Sequence, residues 1–420
     1  MSPPFRPPAF APFQVRSFRF QWPADLLTSC AFEMETLILG WYVLVETGSV
    51  LLLTLFGALQ FAGTLVAPMF GVAGDRIGHR NLLCAMRAAY TVLALTLMIV
   101  AFAGHLTPLL VFIITGLMGI VRPSDLGVRS ALVAHIMPSN QLLAALGISR
   151  TTGDCARISG ALTGAGLFAA FGMGPAYVVV TIFYAAGLLL TLGVAGTHLD
   201  ARRADGVQEP SRRSSVWRDL SEGIAYVWST PQLLAAMLMA FLVNLTAYPQ
   251  SNGLLPHVAK NIYHIDQTGL GYLVAGFAVG ALAGSLAVSL RGSIRAGRMM
   301  IVSALAWYTM LLIFAQMQEP VGGFLMLMAA GFAQSVCMVT LAVLLMRITT
   351  ETFRGRVMGV RMLAIYSLPI GLLSAGALID HIGFGATATL YALIGLLFTV
   401  AIGLYWRAEL WYSDGQPDGR

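Results

Sequence analysis

Gly71-Val72-Ala73-Gly74-Asp75-Arg76-Ile77-Gly78-His79-Arg80 is a short polar interruption between an apolar run at residues 50–74 and another at 82–103. Its glycines permit a tight turn and a close approach of neighbouring helices. Asp75 is placed to meet a helix N-terminus or an arginine, and Arg76 and Arg80 hold the turn at a membrane surface. The decade reads as the connection between two membrane-spanning helices.

The rest of the chain has the composition this requires. Of 420 residues, 57% are apolar and only 10% are Asp, Glu, Lys or Arg, against roughly 25% charged residues in a soluble domain. A spanning helix needs about 20 mainly apolar residues, so twelve would occupy roughly 240 positions, about the apolar share of the chain. A window of about 19 residues finds such stretches near 20–45, 50–74, 82–103, 107–133, 143–170 and 174–196, and again near 231–255, 267–290, 298–317, 321–346, 355–379 and 383–407. The expected fold is an all-α membrane protein of twelve transmembrane helices in two six-helix bundles. Residues 1–19 form an N-terminal tail, 20–196 the first bundle, 197–230 a linker, 231–407 the second bundle and 408–420 a C-terminal tail.

The same composition excludes other classes. So few charges leave no basic stripe for a nucleic acid and too little polarity for a disordered chain. Cys30, Cys84, Cys155 and Cys337 stand singly in apolar stretches, without the spacing of a zinc or redox site. There is no GxxxxGK[ST] run to bind ATP, no HExxH and no GxSxG, so the expectation is a transporter driven by an electrochemical gradient, without a cofactor, rather than an enzyme. Prolines 3, 4, 7, 8 and 12 interrupt the N-terminus, so the first apolar run reads as an anchor, not a cleaved signal peptide.

Charge placement sets the expected orientation. With an even number of spans and the N-terminus inside, the inner ends collect Arg6, Arg16, Arg19, Arg76, Arg80, Arg202, Arg203, Arg212, Arg213, Arg218, Arg291, Arg295, Arg298, Arg354, Arg356 and Arg407, while the outer loops hold only Lys260, the sole lysine. Both termini are therefore expected in the cytoplasm. Within the linker, residues 198–213 read as a tether. Residues 214–229 place Trp217, Leu220, Ile224, Val227 and Trp228 at helical spacing, either as an amphipathic helix lying on the interface or as a linker with residual helix.

A shift of 211 residues lays Arg150 on Arg361, Gly160 on Gly371, Leu162 on Leu373 and Gly172 on Gly383. Parallel repeats of six helices are one of the few architectures of secondary transporters.

On these residues the chain resembles the major facilitator superfamily, whose loop signature G-x-x-x-D-R-x-G-x-R is matched by Gly71 through Arg80. The second-half counterpart, Arg291 through Arg298, keeps the basic residues and a glycine but lacks the acid. Residues 47–50 (TGSV), 132–150 (LVAHIMPSNQLLAALGISR), 217–228 (WRDLSEGIAYVW) and 351–362 (ETFRGRVMGVRM) are similar to the branch holding enterobactin-type siderophore exporters and macrolide efflux proteins. The likeness runs over residues 17–407. It implies the major facilitator fold, alternating access, a bacterial inner-membrane location, a monomer within the lipid bilayer, and a small-molecule substrate. The fifth helix reads Gly160-Ala161-Leu162-Thr163-Gly164-Ala165-Gly166, where proton-coupled antiporters carry G-P-x-x-G-G. The glycines fit either that motif or plain close packing, and Ala161 replaces the proline.

Ionisable residues inside spans mark function by default, because each costs about 2.5–3.5 kcal/mol at a helix centre. Glu33 and Glu35 lie near the middle of the first span, about 200° apart on a helix, so they cannot both face one cavity. Both are candidates for proton coupling. Glu33 is favoured, because the resemblance places an acid after Ser29-Cys30-Ala31-Phe32; its alternative is a structural carboxylate paired with an arginine. Arg122, Asp125 and Arg129 share one face of the fourth helix, and Arg150, Asp154 and Arg157 one face of the fifth. They form a gate, bind an anionic substrate, or pair between helices; Arg129, Arg150, Asp154 and Arg361 are the candidate gate ion pairs. The seventh helix is interrupted at Asn244, Tyr248, Pro249 and Gln250. Candidate cavity residues are Glu33, Trp41, Gln60, Arg122, Asp125, Arg157, Asn244, Tyr248 and Gln334; the candidate gating loop is Gly71, Gly74, Asp75, Arg76, Gly78 and Arg80. The expected function is proton-coupled efflux of an amphiphilic small molecule, a drug or siderophore, with import of a siderophore or other organic anion as the alternative.

Overall fold

The computed structural model describes residues 11–195, 216–290, 295–350 and 353–411. Among these, all regular structure is helical. In the first half the helices are α1 (Arg16–Thr47), α2 (Val50–Leu59), α3 (Ala67–Ile77), α4 (His79–Phe102), α5 (Pro108–Ile136), α6 (Ser139–Phe171) and α7 (Met173–Leu192). In the second they are α8 (Val216–Ser229), α9 (Pro231–Thr246), α10 (Gln267–Leu290), α11 (Ala296–Phe314), α12 (Pro320–Ile348), α13 (Arg354–Ile365), α14 (Ser367–Tyr405) and α15 (Arg407–Trp411). Among the described residues, helix occupies most of each apolar stretch read from the sequence. Local chemistry sets several starts: the Thr107 hydroxyl accepts from the Leu110 amide ahead of α5, Ser49 does the same for Leu52 ahead of α2, and Pro108, Pro231 and Pro320 open their helices where no amide is required.

Among the described residues, eight stretches are long and apolar enough to cross a bilayer. One of them, Gly355–Tyr405, is 51 residues long and turns at Gly383, which gives it the length of two spans. α1 and α6 have the length, at 32 and 33 residues, but carry ionisable side chains along their course. The 50–77 stretch is broken by a 3-10 turn at Ala62–Leu65. Large apolar side chains such as Ile99, Leu109, Leu189, Val321 and Leu397 stand exposed. A face of that kind is stable against lipid, not water.

The chain divides into two compact units: Met1–Leu39 with Val66–Arg213, and Gly40–Leu65 with Ser214–Arg420. In the first unit, contacts along α1 give the direction of its neighbours. Trp22 donates to Thr152, Cys30 meets Ser159 and Gly164 abuts Met34, so α6 ascends beside α1. Arg129 meets Ser29 whereas Arg122 meets Thr36, and Gly187 abuts Thr28 whereas Tyr184 meets Glu35, so α5 and α7 run the other way. This is the alternation that successive membrane crossings impose. In the second unit α14 ascends beside α9, with Ser367 on the Phe241 carbonyl and Gly371 on that of Leu245.

The 211-residue repeat is visible in the backbone. Gly172 (φ 78°, ψ −171°) separates α6 from α7, and Gly383 (φ 79°, ψ 166°) bends α14 at the corresponding place. That region of conformational space is essentially closed to residues with a Cβ. Gly160 and Gly371 also match: a Cβ on Gly160 would lie 2.8 Å from the Cys30 carbonyl of α1, and one on Gly371 would overlap the Leu245 carbonyl of α9. Without a hydrophobic drive between helices in lipid, close backbone approach of this kind supplies the attraction.

α8 carries the amphipathic pattern, and its inner face packs on α13. Glu222 bridges Arg218 (2.9 Å) and Arg356 (3.1 Å), Tyr226 stacks on Phe353 at 4.3 Å, and Gly223 lies against the Arg356 backbone. Ile224 and Trp228 face outward. The tether at 198–213 and the Trp217 side chain lie outside the described residues.

The close approach of α6 to α1 is testable. Gly160→Val should destabilise the protein in detergent by roughly 1–3 kcal/mol through overpacking. Gly166→Ala, where a Cβ meets nothing within 4 Å, should change stability by less than about 0.5 kcal/mol. Thermal unfolding of the two variants distinguishes packing glycines from incidental ones.

Candidate functional site

α1 is the organising element of the first unit because its polar residues recur at helical spacing. Asp25, Ser29, Phe32 and Thr36 fall on one face, at intervals of four, three and four. On the antiparallel α5, Arg122 and Arg129 are seven residues apart, two turns, and each meets one end of that face.

At one end lies an electroneutral ion cluster. Arg87 of α4 is fully buried; its guanidinium bonds the Asp25 carboxylate and Thr191 hydroxyl and donates to the Gly187 carbonyl at 3.2 Å. Arg129 reaches Asp125 at 2.5 Å, Asp25 at 3.5 Å and the Ser29 hydroxyl at 2.8 Å, and Gln21 donates to Asp25 at 2.7 Å. Two acids and two arginines are thus held among α1, α4, α5 and α7. Asp125 and Arg129 were legible as one helix face. Asp25 and Arg87 were missed, although an arginine alone inside the 82–103 stretch was a signal that a buried acid must exist elsewhere.

The two candidate glutamates part company as their 200° separation requires. Glu35 is buried, 3% exposed, and accepts from the Tyr184 hydroxyl at 2.9 Å and the Tyr177 hydroxyl at 3.4 Å, both on α7. Its partners are phenols, and the Arg122 charge acts on it electrostatically. Arg122 itself donates to the Phe32 carbonyl (3.2 Å) and Thr36 hydroxyl (3.0 Å) and lies 4.4 Å over the Phe32 ring. Phe32, Tyr90 and Tyr184 form an aromatic cluster with centroids 5.0–5.6 Å apart. Glu33 is half-buried and faces α6, where Arg157 stands 3.6 Å away.

The remaining candidates fall in several places. Arg150 and Asp154 are 3.9 Å apart, with the arginine largely in the open, so the α6 stripe is split: Arg157 turns to Glu33 and Arg150 stays within its own helix. Arg361 lies half-buried on α13. In the gating loop, α3 carries Gly71 through Arg76, Gly78 (φ 88°) makes the turn, a Cβ on Gly74 would meet the His79 ring, and Arg80 donates to the Leu192 carbonyl of α7 at 2.5 Å. The Asp75 side chain and residues 291–294 of the second-half loop lie outside the described residues.

The second unit gathers uncharged groups. Gln334 donates to the Tyr248 hydroxyl at 2.7 Å, and Tyr248 stands edge-on to Trp307 at 5.3 Å. Asn244 is buried on α9, and Thr246 and Tyr308 hydroxyls meet at 2.7 Å. Matching the Gly160–Cys30 contact to the Gly371–Leu245 contact sets Glu35 opposite Gln250, which is fully buried, so the position that is acidic in one half is an amide in the other. Trp41 and Gln60 are buried in this unit. Among the described residues no three His, Cys, Asp or Glu side chains converge as metal ligands would.

The ion cluster predicts a graded response. Asp25→Ala leaves two buried guanidinia short of a carboxylate and should cost about 3–5 kcal/mol of stability, whereas Arg150→Ala removes a largely exposed partner and should cost less than about 1 kcal/mol; detergent melting curves measure both.

Comparison with known proteins agrees with this architecture. The chain is 24% identical over 375 residues to the multidrug efflux pump Tap of Mycolicibacterium fortuitum, covering 86% of this chain and 88% of that one. Among solved structures it resembles the nucleoside transporter NupG (TM-score 0.68, 14% identity, 94% of this chain and 100% of that one). It also resembles a POT family transporter bound to 5-aminolevulinic acid (TM-score 0.70, 14% identity, 94% and 96%) and the human organic anion transporter MFSD10 (TM-score 0.68, 17% identity, 94% and 100%). The Major Facilitator Superfamily model matches residues 24–372. With that match over most of its length, this multi-pass, all-α membrane protein belongs to the Major Facilitator Superfamily of transporters.

Proposed function

We propose that this transporter exports an amphiphilic small molecule, a drug or siderophore, in exchange for protons, as a monomer in the bacterial inner membrane with both termini in the cytoplasm. The observation that carries the reading is Glu35: a carboxylate buried on a spanning helix and held by two tyrosine hydroxyls. Intramembrane acids persist where they are useful, and phenol donors can hold either protonation state of the carboxyl, whereas a direct arginine pair would tie it to the charged form. The Arg122 guanidinium, bonded to Thr36 and the Phe32 carbonyl on the same helix, supplies a fixed positive charge that the proton's arrival leaves uncompensated. That change in local charge is what biases the alternating-access equilibrium.

In this reading Glu35 takes the central role that sequence alone favoured for Glu33. Glu33 with Arg157 is the auxiliary pair, half-open and able to part when substrate or water enters. The arginines of the inner loops support the orientation, and the efflux-pump relative supports export. The neutral aromatic and amide groups around Tyr248, Trp307 and Gln334 suit an amphiphilic molecule, with apolar surface to bury and a few hydrogen bonds to make.

Proteoliposomes with an imposed pH gradient test the proposal. A panel of drugs and siderophores should include one that moves out of the vesicle-equivalent of the cytoplasm only while the gradient lasts; gradient-independent flux, or accumulation in the opposite direction, overturns export by proton exchange. Glu35→Gln should abolish gradient-driven flux and leave substrate binding intact, and Glu33→Gln should slow the flux without uncoupling it. Uncoupling by Glu33→Gln with normal coupling in Glu35→Gln would reverse the two roles.

A further inference from the structure

The second unit holds a buried titratable group that the proposed mechanism does not use. His257 lies where the α9 strand of the chain continues past Tyr248 in two wide, π-helical turns, Pro249–Gly253 and Val258–Ile262. Their i→i+5 bonds, from the Leu254 amide to the Pro249 carbonyl at 3.0 Å and from Tyr263 to Val258 at 2.9 Å, flank Pro256, which has no amide to give. Such turns inside helices recur at functional sites. The His257 side chain is only 7% exposed, and its Nδ1 has no hydrogen-bond partner. A buried polar nitrogen left unmatched requires an explanation.

Its surroundings offer one. The Phe384 ring is 5.8 Å from the imidazole, and Phe384 follows Gly383, the positive-φ bend of α14. On the other side of that bend, within one turn of Gly383, stand Asp380 and His381, both exposed, and the Asp380 carboxylate acts electrostatically on His257, whose imidazole is otherwise enclosed by burial. The other ionisable groups of the flanking segments are engaged elsewhere or exposed. Lys260 directs its ammonium to the Leu44 carbonyl of α1 at 3.4 Å, Glu46 is exposed at the end of α1, and α10 contributes only Tyr272, also exposed. Tyr263 and His264 follow in the loop before Asp266, whose carboxylate accepts from the Gly269 amide.

We propose that His257 and Asp380 form a proton-binding site at the end of the second unit that carries the α9–α10 loop. A proton from the solution on that face binds Nδ1, and the imidazolium then pairs with the Asp380 carboxylate, drawing the α14 bend onto the π-helical segment; loss of the proton to the same solution releases it. With the orientation proposed above, this is the outer face, so the site responds to external acidity. The inference rests on the proton-exchange reading for its role in transport but not for its existence.

Imidazole NMR of the full-length protein in detergent, labelled at histidine, tests the site directly. One resonance, absent from His257→Gln, should titrate within about pH 5–8, and its midpoint should move to lower pH in Asp380→Asn, which removes the charge that favours the imidazolium. Asp380 is exposed, so that variant keeps the test usable even where His257→Gln folds poorly. In proteoliposomes, the dependence of flux on the pH of the outer face should flatten in both variants while substrate binding is unchanged. A resonance that does not titrate, a midpoint unmoved by Asp380→Asn, or an unaltered pH profile overturns the site. Titration coupled to Asp380 in a protein without gradient-driven flux would overturn the proton-exchange reading instead.

Discussion

Ionised side chains inside a bilayer must be neutralised by the protein itself, and the first unit is arranged around that requirement. α1 places Asp25, Ser29, Glu33, Glu35 and Thr36 at membrane depth, and each surrounding helix brings what the nearest of them needs. α4 delivers Arg87 to Asp25, α5 sets Arg129 and Arg122 two turns apart along the same face, α6 brings Arg157 to Glu33, and α7 encloses Glu35 with Tyr177 and Tyr184. Removing one member of such a set leaves its partner charged and buried, which is costly, so these helices depend on one another for their charge balance.

The two halves share a backbone plan and differ in chemistry. Gly172 and Gly383 adopt the same glycine-only conformation, and Gly160 and Gly371 admit the same close helix approach. Yet the Glu35 position becomes Gln250, and the second unit places tyrosine, glutamine and threonine hydrogen bonds in its interior, with Trp307 edge-on to Tyr248. One half thus concentrates charge, and the other offers uncharged surface of the kind an amphiphilic ligand buries.

Much of the fold was legible from residue order. Hydropathy placed the helices, because runs of about 20 apolar residues favour a crossing helix whose backbone hydrogen bonds are all internal. The repeat was legible because a glycine that admits no Cβ resists replacement by any other residue. The site was legible only in part. Asp125 with Arg129, and Arg150 with Asp154, lie a helical turn apart, so spacing revealed them. Asp25 with Arg87 are 62 residues apart on separate helices, and nothing in their local sequence names the partner.

By itself, then, the sequence determined an all-helical, multi-pass transporter of repeated design, since bilayer thickness and backbone hydrogen bonding act on local composition. What only the tertiary structure decided is which carboxylate meets which cation. Glu33 and Glu35 are two residues apart and chemically identical, yet one faces the arginine of α6 and the other the tyrosines of α7. That difference comes from the angle between successive side chains on α1 and from which helix packs on each side, and neither the pairing nor the burial it produces is written in any local stretch of sequence.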